Sequence, residues 1–364
     1  MKKKIVFVMP TLQGGGAEKV VSNIVLKLNK KKYDVEIIVF DLTGQKYLKN
    51  KNIKIHNLKC KRISQGVFSF MRAVNQLNPN VLISSISHLN LFISILSIFL
   101  PSRILLIARE SNFLSKNIKF QSIPILMKIL YKIFYNNFDC VLVFSKKHKI
   151  DIIKNTNINE KKINIIENPL DIELINKLSN QKIIKKYKKL FKNKFIKFVF
   201  VGSLSFQKGL DIFIKSLVLI KNKKFIFNII GSGSEKTNLK KLIKENKLNK
   251  QINLIPYQNN PFPYIKNSDV FIMSSRFEGL SNTVLETLSL NKPIIFLNNI
   301  GVSTDILKKA KNSYIINSNN PTFISKKIIN YKIPNKKLSN ANILKRFEIN
   351  NVIKKYEKLL DDLF

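Results

Sequence analysis

The sequence predicts an α/β protein with two Rossmann-like domains that face each other across a cleft, and three observations predict this. Short β-branched runs alternate with helical periods, which is typical of parallel sheets covered by helices. The alternation starts again near residue 195, after a lysine-rich stretch without strand signals. A chain of 364 residues is also too long for one ordinary core. Ligands of such sheets bind at the carboxyl ends of the strands.

The predicted strands are short apolar runs, each followed by a polar or glycine-containing loop. Helical spacing of apolar residues predicts helices at 17–28, 89–100 and 235–245, and another that follows residue 282 and ends at Leu290. The strands are expected at Ile5–Met9, Val35–Phe40, Val81–Ser84, Ile104–Ala108, Cys140–Phe144, Ile163–Ile166, Phe198–Val201, Phe225–Ile230, Ile252–Ile255, Val270–Met273, Ile294–Leu297 and Tyr314–Ile316.

These elements divide the chain into four parts. Residues 1–170 are expected to form a first Rossmann-like domain, 171–194 a linker, and 195–345 a second Rossmann-like domain. The amphipathic stretch 346–364 is expected to form a helix that packs back towards the first domain.

The composition limits the classes of function. A net charge of +42, from 64 basic and 22 acidic residues, attracts diphosphates, anionic lipid headgroups or nucleic acid. Uniform lysine enrichment from an AT-rich genome explains part of this charge. Two distant cysteines and three scattered histidines have no metal-ligand spacing, so no metal site is expected. The cleanest apolar stretch, Leu89–Leu100, has 12 residues, whereas a membrane-spanning helix needs about 20. We therefore expect a soluble or peripheral protein.

Four loops that follow strands carry glycine or charge and are expected at the cleft. Three of them, at residues 14–18, 202–209 and 231–235, place glycines where backbone amides can approach an anion. Each of the three also fits an ordinary glycine turn, helix cap or surface lysine. The fourth, Ser274–Asn282, is the most informative. It carries Glu278 before a predicted helix and is followed by Glu286 two turns inside it, so two carboxylates flank one anion site.

This fourth loop resembles the E-x7-E motif of the family 4 retaining glycosyltransferases, which have the two-domain GT-B fold. The order and spacing of further motifs agree with that family over nearly the whole chain. These motifs are Gly14-Gly15-Gly16-Ala17-Glu18, the strand from Asp139 to Ser145, Glu167-Asn168-Pro169, Lys208-Gly209, Gly231-Ser232-Gly233 and Phe277-Glu278-Gly279.

The resemblance implies that residues 1–170 form the acceptor-side domain and 195–345 the nucleotide-sugar-binding domain. It also implies a role for each matching residue. Glu278 would bind hydroxyls of the transferred sugar, and Glu286 the ribose of the nucleotide. Lys208 and the backbone of residues 280–282 would hold the diphosphate and stabilise it as the leaving group. No metal ion or other cofactor is expected, because lysine and amides replace it. The expected donor-binding set is Gly15, Gly16, Ser203, Lys208, Gly231, Gly233, Tyr257, Glu278, Gly279, Leu280, Ser281, Asn282 and Glu286.

Two positions depart from the family pattern. Ser203 stands where relatives usually carry an arginine as a second cation for the diphosphate. After the strand Ile104–Ala108, where many relatives carry a histidine, the chain has Arg109 and Glu110. Either of these two side chains points into the cleft, and Glu110 is a candidate acceptor-side catalytic carboxylate. The alternative is a structural ion pair.

The stretch Phe120–Tyr135 is apolar and aromatic with interleaved lysines. It fits either a helix on an anionic membrane surface or an inward-facing core helix. With the charge of +42, the first interpretation is favoured. It gives a cytoplasmic, peripheral enzyme on the inner face of the cytoplasmic membrane, with a lipid-linked saccharide or lipopolysaccharide acceptor.

The sequence therefore predicts a retaining transferase of a hexose or N-acetylhexosamine from a nucleoside-diphosphate sugar, with a UDP-sugar favoured. Two alternatives are a nucleotide-sugar epimerase of the same fold and a basic nucleic-acid-binding protein. Charge favours the last of these, but no nucleic-acid-binding motif does, so no nucleic-acid partner is expected.

Overall fold

The computed structural model describes residues 2–49, 52–119, 123–192, 194–221, 224–297, 302–334 and 339–364. It divides into two compact units. The first consists of Met1–Pro169 together with Ile349–Phe364, and the second of Leu170–Glu348.

The first unit contains a parallel sheet of seven strands among the residues described. Alternate side chains of the first strand in the chain enter different cores: Ile5, Phe7 and Met9 enter one, and Val6 and Val8 the other. A strand buried on both faces is typical of a sheet covered by helices on both sides. The strands are β1 (Lys3–Met9), β2 (Tyr33–Val39), β3 (Lys54–Asn57), β4 (Val81–Ser85), β5 (Leu105–Arg109), β6 (Cys140–Val143) and β7 (Ile163–Ile165).

Helices connect these strands. One core contains apolar residues of the first helix and the other contains residues of the second, third and fifth. The helices are α1 (Gly16–Lys27), α2 (Val67–Leu77), α3 (Ser87–Leu96), α4 (Leu114–Lys119), α5 (Pro124–Phe134) and α6 (Lys146–Asn155).

The second unit contains a parallel sheet of six strands within the described ranges. The strands are β8 (Ile196–Val201), β9 (Phe225–Ile230), β10 (Ile252–Ile255), β11 (Val270–Met273), β12 (Ile294–Leu297) and β13 (Ser313–Ile316). The helices are α7 (Ile172–Ser179), α8 (Lys185–Lys188), α9 (Leu210–Val218), α10 (Lys236–Glu245), α11 (Phe262–Lys266), α12 (Asn282–Ser289), α13 (Val302–Lys309), α14 (Pro321–Ile329) and α15 (Ala341–Leu344).

The strand order places a topological switch point in each sheet. The orders are β3-β2-β1-β4-β5-β6-β7 and β10-β9-β8-β11-β12-β13. The chain moves outward from β1 in one direction and from β4 in the other, and β8 and β11 form the equivalent pair. Loops that leave the carboxyl ends of such a pair diverge and leave a crevice for ligands. The predicted α/β class with two Rossmann-like sheets is confirmed.

The last helix, α16 (Ile349–Leu363), returns to the first unit. Its apolar residues Val352, Tyr356 and Leu360 are buried in the same core as α1. Ion pairs and hydrogen bonds secure it, because Lys355 pairs with Glu167 and Asp361 accepts a hydrogen bond of 2.6 Å from the Tyr33 hydroxyl.

The stretch 171–194, expected to be a linker, belongs to the second unit as far as it is described. It begins with α7, which Asp171 caps by accepting a hydrogen bond of 2.9 Å from the Leu174 amide.

An edge strand, β3, was absent from the prediction. None of the helices in the described part of the chain is long and apolar enough to cross a membrane.

Candidate functional site

The two loops at the switch point of the second sheet bring Lys208 and Glu278 together. Lys208 ends a short turn after β8, and Glu278 lies in the loop after β11. The Lys208 ammonium forms an ion pair with the Glu278 carboxylate, which also accepts a hydrogen bond of 3.2 Å from the Ser275 hydroxyl. The two side chains are 16% and 13% exposed, so a ligand from solvent can reach them. A cation and a carboxylate therefore meet where the topology leaves room for a ligand.

Close backbone approach keeps these loops in place. Gly209 has a φ of +59°, and a Cβ there would overlap the Ser274 carbonyl oxygen. A Cβ on Gly231 would overlap the Gly202 carbonyl oxygen, and one on Gly233 the Leu204 carbonyl oxygen. Glycine at all three positions thus has a packing reason that is independent of any ligand.

Helix α12 begins at Asn282, three residues after Gly279. Ser281 is its N-cap, and its hydroxyl accepts a hydrogen bond of 3.4 Å from the Val284 amide. The Ser281 amide itself donates to the Ser303 hydroxyl at 3.0 Å. A diphosphate that uses this amide must therefore displace the Ser303 hydroxyl. Leu280 is buried, whereas Asn282 is half-buried at the first helical position.

The other expected donor-binding residues of the second unit are more dispersed. Glu286 is buried within α12 with 5% of the residue exposed. Ser203 is exposed directly after β8. Tyr257 is half-buried after β10, the edge strand two positions away from β8. The fold thus groups Lys208, Glu278 and the start of α12, and places Tyr257 further along the sheet edge.

In the first unit, the glycine loop is occupied by a side chain of its own helix. Glu18 accepts hydrogen bonds from the amides of Gly14 at 2.6 Å and Gly15 at 2.7 Å, and from the Thr11 hydroxyl. A carboxylate at this position satisfies helix-start amides and interacts favourably with the helix dipole. A diphosphate that approaches Gly15 and Gly16 must therefore displace Glu18.

Glu110, the predicted acceptor-side carboxylate, is buried, and its catalytic role stays a prediction. The residue is 1% exposed, and its carboxylate accepts hydrogen bonds of 2.6 Å from Ser87 and Asn90 and one from the Tyr135 hydroxyl. Burial raises the pKa of the Glu110 carboxyl above its ordinary range. Its partners are neutral donors, so the alternative of an ion pair is not what the structure contains either.

Arg109 is also buried, and it links β4 to the segment that follows β7. Its guanidinium donates to the Ser85 hydroxyl at 3.1 Å and to the Asn168 side-chain oxygen at 2.5 Å. His148 is buried nearby, and its Nε2–H donates to the Asn112 carbonyl at 2.9 Å. Burial and the Arg109 charge lower the pKa of His148 to about 3, so this imidazole is neutral.

Helix α5 lies over this buried cluster and exposes an apolar face. Its Tyr131 donates to the Ser87 carbonyl at 2.9 Å, whereas Ile125, Ile129 and Ile133 are exposed on the opposite side. Residues 120–122 of the predicted membrane-contact stretch lie outside the described residues. Tyr131 is thus buried, whereas Ile125, Ile129 and Ile133 form an exposed apolar face of α5.

Sequence reasoning missed three side chains around the loops of the second unit. Arg276 pairs with Asp211 through both carboxylate oxygens, at 2.9 and 2.7 Å, and Gln207 donates to the Phe277 carbonyl at 3.0 Å. Both charged residues lie within three positions of the motif residues Lys208 and Glu278. Their opposite charges, in a chain with only 22 acidic residues, were the available signal.

A doubly wound second unit, with a cation and a carboxylate at its switch point and a helix start beside them, is typical of α/β proteins that bind anionic nucleotide ligands. Comparisons with known proteins identify the family. The chain matches Glycosyl transferases group 1 over residues 181–343 and Glycosyltransferase Family 4 over residues 14–174. It is 30% identical over 292 residues to an uncharacterized glycosyltransferase of Methanocaldococcus jannaschii, covering 74% of this chain and 70% of the relative.

The chain belongs to the family 4 glycosyltransferases, and it is a retaining transferase that moves a sugar from a nucleotide sugar. Another relative, 28% identical over 310 residues, is the N-acetylgalactosamine-N,N'-diacetylbacillosaminyl-diphospho-undecaprenol 4-alpha-N-acetylgalactosaminyltransferase of Campylobacter jejuni. The match covers 81% of this chain and 80% of that enzyme. The Anabaena protein HepE, solved in complex with UDP and glucose, has a TM-score of 0.82 at 16% identity over 99% of this chain and 100% of HepE. This likeness supports the GT-B fold.

Proposed function

We propose that the chain transfers a hexose or N-acetylhexosamine from a UDP-sugar to a lipid-linked saccharide or lipopolysaccharide acceptor in cell-envelope glycan assembly. The observation that carries this proposal is the pairing of Lys208 with Glu278 at the β8–β11 switch point. Two relatives support the finer assignments: the Campylobacter jejuni enzyme is named for a diphospho-undecaprenol-linked saccharide, and HepE was solved with UDP and glucose.

In this proposal the diphosphate takes the place of Glu278 as the partner of Lys208. The released Glu278 carboxylate then accepts hydrogen bonds from sugar hydroxyls, which are neutral donors to a charged acceptor. The amides at the start of α12 add positive partial charge on the same side. Negative charge that develops on the departing diphosphate is thereby stabilised without a further charged group.

The proposed reaction keeps the anomeric configuration because attack and departure use one face of the sugar. The bond between the anomeric carbon and the diphosphate oxygen breaks as the acceptor oxygen bonds to that carbon. The departing diphosphate oxygen takes the proton of the acceptor hydroxyl, so atoms and charges balance. Glu110 has no step in this scheme, since its carboxylate is buried and bonded by Ser87, Asn90 and Tyr135.

The test is a panel of sugar nucleotides, first by protection against thermal unfolding and then by product analysis. A ligand at a hundred times its dissociation constant stabilises the protein by about 2.7 kcal/mol, so the preferred donor gives the largest shift. Transfer from that donor to a polyprenyl-diphosphate-linked saccharide is then expected. An altered sugar on the recovered nucleotide would instead identify an epimerase, and no protection by any sugar nucleotide would contradict the proposal.

Helix α5 supports the proposal that the acceptor is met at an anionic membrane surface. Ile125, Ile129 and Ile133 are 78%, 47% and 59% exposed and follow one another at four-residue spacing, so they form one stripe along the helix. Lys128 and Lys132 are exposed beside that stripe. Apolar side chains with flanking lysines suit the boundary between anionic headgroups and acyl chains, and the net charge of +42 adds long-range attraction.

Sedimentation with vesicles tests this surface. Binding to vesicles that contain phosphatidylglycerol is expected at low salt, with weaker binding to neutral phosphatidylcholine vesicles and at high salt. Ile133→Asp is expected to weaken binding. Ile329→Asp is the matched control, because Ile329 is also 59% exposed but lies on α14 of the second unit. Equal binding by both variants would show that charge alone, and not α5, attracts the protein to vesicles.

A further inference from the structure

The short turn that carries Lys208 is held by the loop that carries Glu278 through all three of its carbonyl groups. The Phe206 carbonyl accepts from the Arg276 guanidinium at 2.7 Å, and the Gln207 carbonyl accepts from the Arg276 amide at 2.7 Å. The Lys208 carbonyl accepts from the Ser274 hydroxyl at 2.8 Å. The position of the Lys208 backbone therefore depends on the β11 loop.

Arg276 makes most of these contacts and is itself held from two more directions. Its guanidinium donates to both carboxylate oxygens of Asp211, which lies in the first turn of α9. The guanidinium also lies 4.0 Å from the centre of the Phe206 ring. A planar guanidinium can engage a carboxylate through two parallel hydrogen bonds and stack on an aromatic ring at once, which a lysine cannot do.

The contacts of Arg276 lead to the turn and to the start of α9. Its hydrogen bonds lead to Asp211, Phe206 and Gln207, and its stacking partner is Phe206. The hydrogen bond from the Arg276 amide to the Gln207 carbonyl and the one from the Gln207 side chain to the Phe277 carbonyl join the turn to the loop. Both bonds lie just before Lys208 and Glu278 along the chain. Arg276 thus links the turn that carries Lys208 to the loop that carries Glu278.

We propose that Arg276 is a positioning residue, which fixes the turn 206–208 so that the Lys208 ammonium lies where the donor diphosphate binds and departs. This inference depends on the proposed function, in which Lys208 contacts the diphosphate. Arg276 acts through Lys208, so its contribution disappears when Lys208 is absent.

A double-substitution cycle tests this dependence, with the affinities for UDP and UMP and the kcat and KM of transfer as readouts. Arg276→Ala is expected to lower kcat/KM by about 10- to 100-fold, as does a small misplacement of a catalytic group. It is expected to lower the affinity for UDP more than for UMP, because UMP lacks the second phosphate. A general loss of folded protein would reduce both affinities alike.

The further variants separate positioning from other roles. Adding Arg276→Ala to Lys208→Ala is expected to lower kcat/KM by less than about twofold more, because residues that act as a unit are not additive. Arg276→Lys is expected to behave like Arg276→Ala, since lysine lacks the planar fork. Arg346→Ala is the matched control, because Arg346 also lies over a phenylalanine ring of the second unit, at 4.7 Å from Phe347.

Each contrary outcome overturns a different statement. If the effects of the Arg276 and Lys208 substitutions multiply in full, the positioning role is wrong while the Lys208 role in the proposed function stands. If Lys208→Ala leaves the affinity for UDP unchanged, the Lys208 role is wrong, and positioning through Lys208 is wrong with it. If Arg276→Ala behaves like Arg346→Ala, Arg276 has no role in positioning.

Discussion

Glu110 and Glu278 both follow the carboxyl end of a parallel strand, yet the structure gives them opposite environments. Glu110 is 1% exposed and bonded by neutral donors, whereas the Glu278 side chain is 13% exposed and paired with the cation of Lys208. A carboxylate surrounded by neutral donors in the interior has no partner that a ligand can replace. A carboxylate that is paired with a partly exposed cation can exchange that partner for an anion from solution. A carboxylate that follows a strand is therefore a candidate for ligand binding. Its burial and the charge of its partners indicate whether a ligand can reach it.

The largest expected contrast between the two carboxylates is in the rate of transfer. Glu278→Gln is expected to lower kcat/KM by about 100-fold or more, the usual loss when one charged contact to a transition state is removed. Glu110→Gln is expected to change it by less than about threefold, since the amide keeps the shape of the buried side chain. Initial rates with the preferred sugar nucleotide measure both.

The comparison would be contradicted if Glu110→Gln lost as much kcat/KM as Glu278→Gln while the same fraction of each protein was folded. Such a result would return Glu110 to the catalytic role that the sequence suggested. Thermal unfolding of both variants is the necessary control.

The free energy of unfolding is expected to show the opposite order, with a larger loss for the Glu110 variant than for the Glu278 variant. Glu110→Ala leaves the buried donors of Ser87, Asn90 and Tyr135 without an acceptor and is expected to cost about 2 to 4 kcal/mol of unfolding free energy. Glu278→Ala is expected to cost less than about 1 kcal/mol, as is usual for partly exposed ion pairs. Urea unfolding curves measure both values, and equal midpoints would contradict the comparison.

The glycines of the two units extend the same comparison to the backbone. Gly209→Ala is expected to destabilise the second unit by about 1 to 3 kcal/mol, because φ is +59° and the new Cβ meets the Ser274 carbonyl. Gly15→Ala is the matched control, since a Cβ there meets only Glu18 at 3.6 Å or more. It is expected to change stability by less than about 0.5 kcal/mol. Denaturant curves compare the two, and an unaffected Gly209→Ala protein would show that the loops are not packed as described.

The last expected effect, which is small over any single pH unit, is a pH dependence that arises in the buried part of the first unit. His148 has a pKa of about 3 in the folded protein against 6.5 without perturbation, so the unfolded chain binds the proton first. Its contribution to stability is present above pH 6.5 and decreases as the pH falls towards 3, by about 1.4 kcal/mol per pH unit at most. Arg109 is the charge that disfavours the imidazolium.

His148→Phe is expected to remove this slope, because phenylalanine keeps an aromatic ring beside Phe144 but cannot bind a proton. Urea midpoints between pH 7 and pH 4 provide the measurement. The raised pKa of Glu110 acts in the opposite sense, since the contribution of its protonated form is lost as pH rises. A slope that persists in His148→Phe would assign the acid sensitivity to other groups.

Much of the fold was predictable because buried parallel strands are apolar over their whole length. The predicted bounds of Phe225–Ile230, Ile252–Ile255, Val270–Met273 and Ile294–Leu297 coincide with β9 to β12. The edge strand β3 was missed because its Lys-Ile-His-Asn sequence is partly exposed and mostly polar. A strand can be recognised from the spacing and hydrophobicity of its residues only where its side chains are buried.

The candidate site was less predictable, since it depends on which loop faces which. Lys208 and Glu278 were identified from motif spacing, and the structure places them in contact, while their roles stay predictions. Arg276 was missed because its partner Asp211 lies 65 positions away along the chain. The direction of Glu110 was not predictable either, because a residue just past the end of a strand no longer follows the alternation that assigns a face.

The carboxylate of Glu18, which occupies the glycine loop of α1, has a consequence for selectivity among anions. It is tethered four residues or fewer from the amides of Gly14 and Gly15 that it accepts from, so its local concentration exceeds that of a dissolved competitor. A small ion such as phosphate or sulfate gains only the same few amide contacts and must displace this internal rival to obtain them. A larger anion, anchored by contacts elsewhere on its own structure, is not limited in this way. We therefore expect small dissolved anions to bind this loop weakly, and an anion that is already held by other contacts to compete better with Glu18.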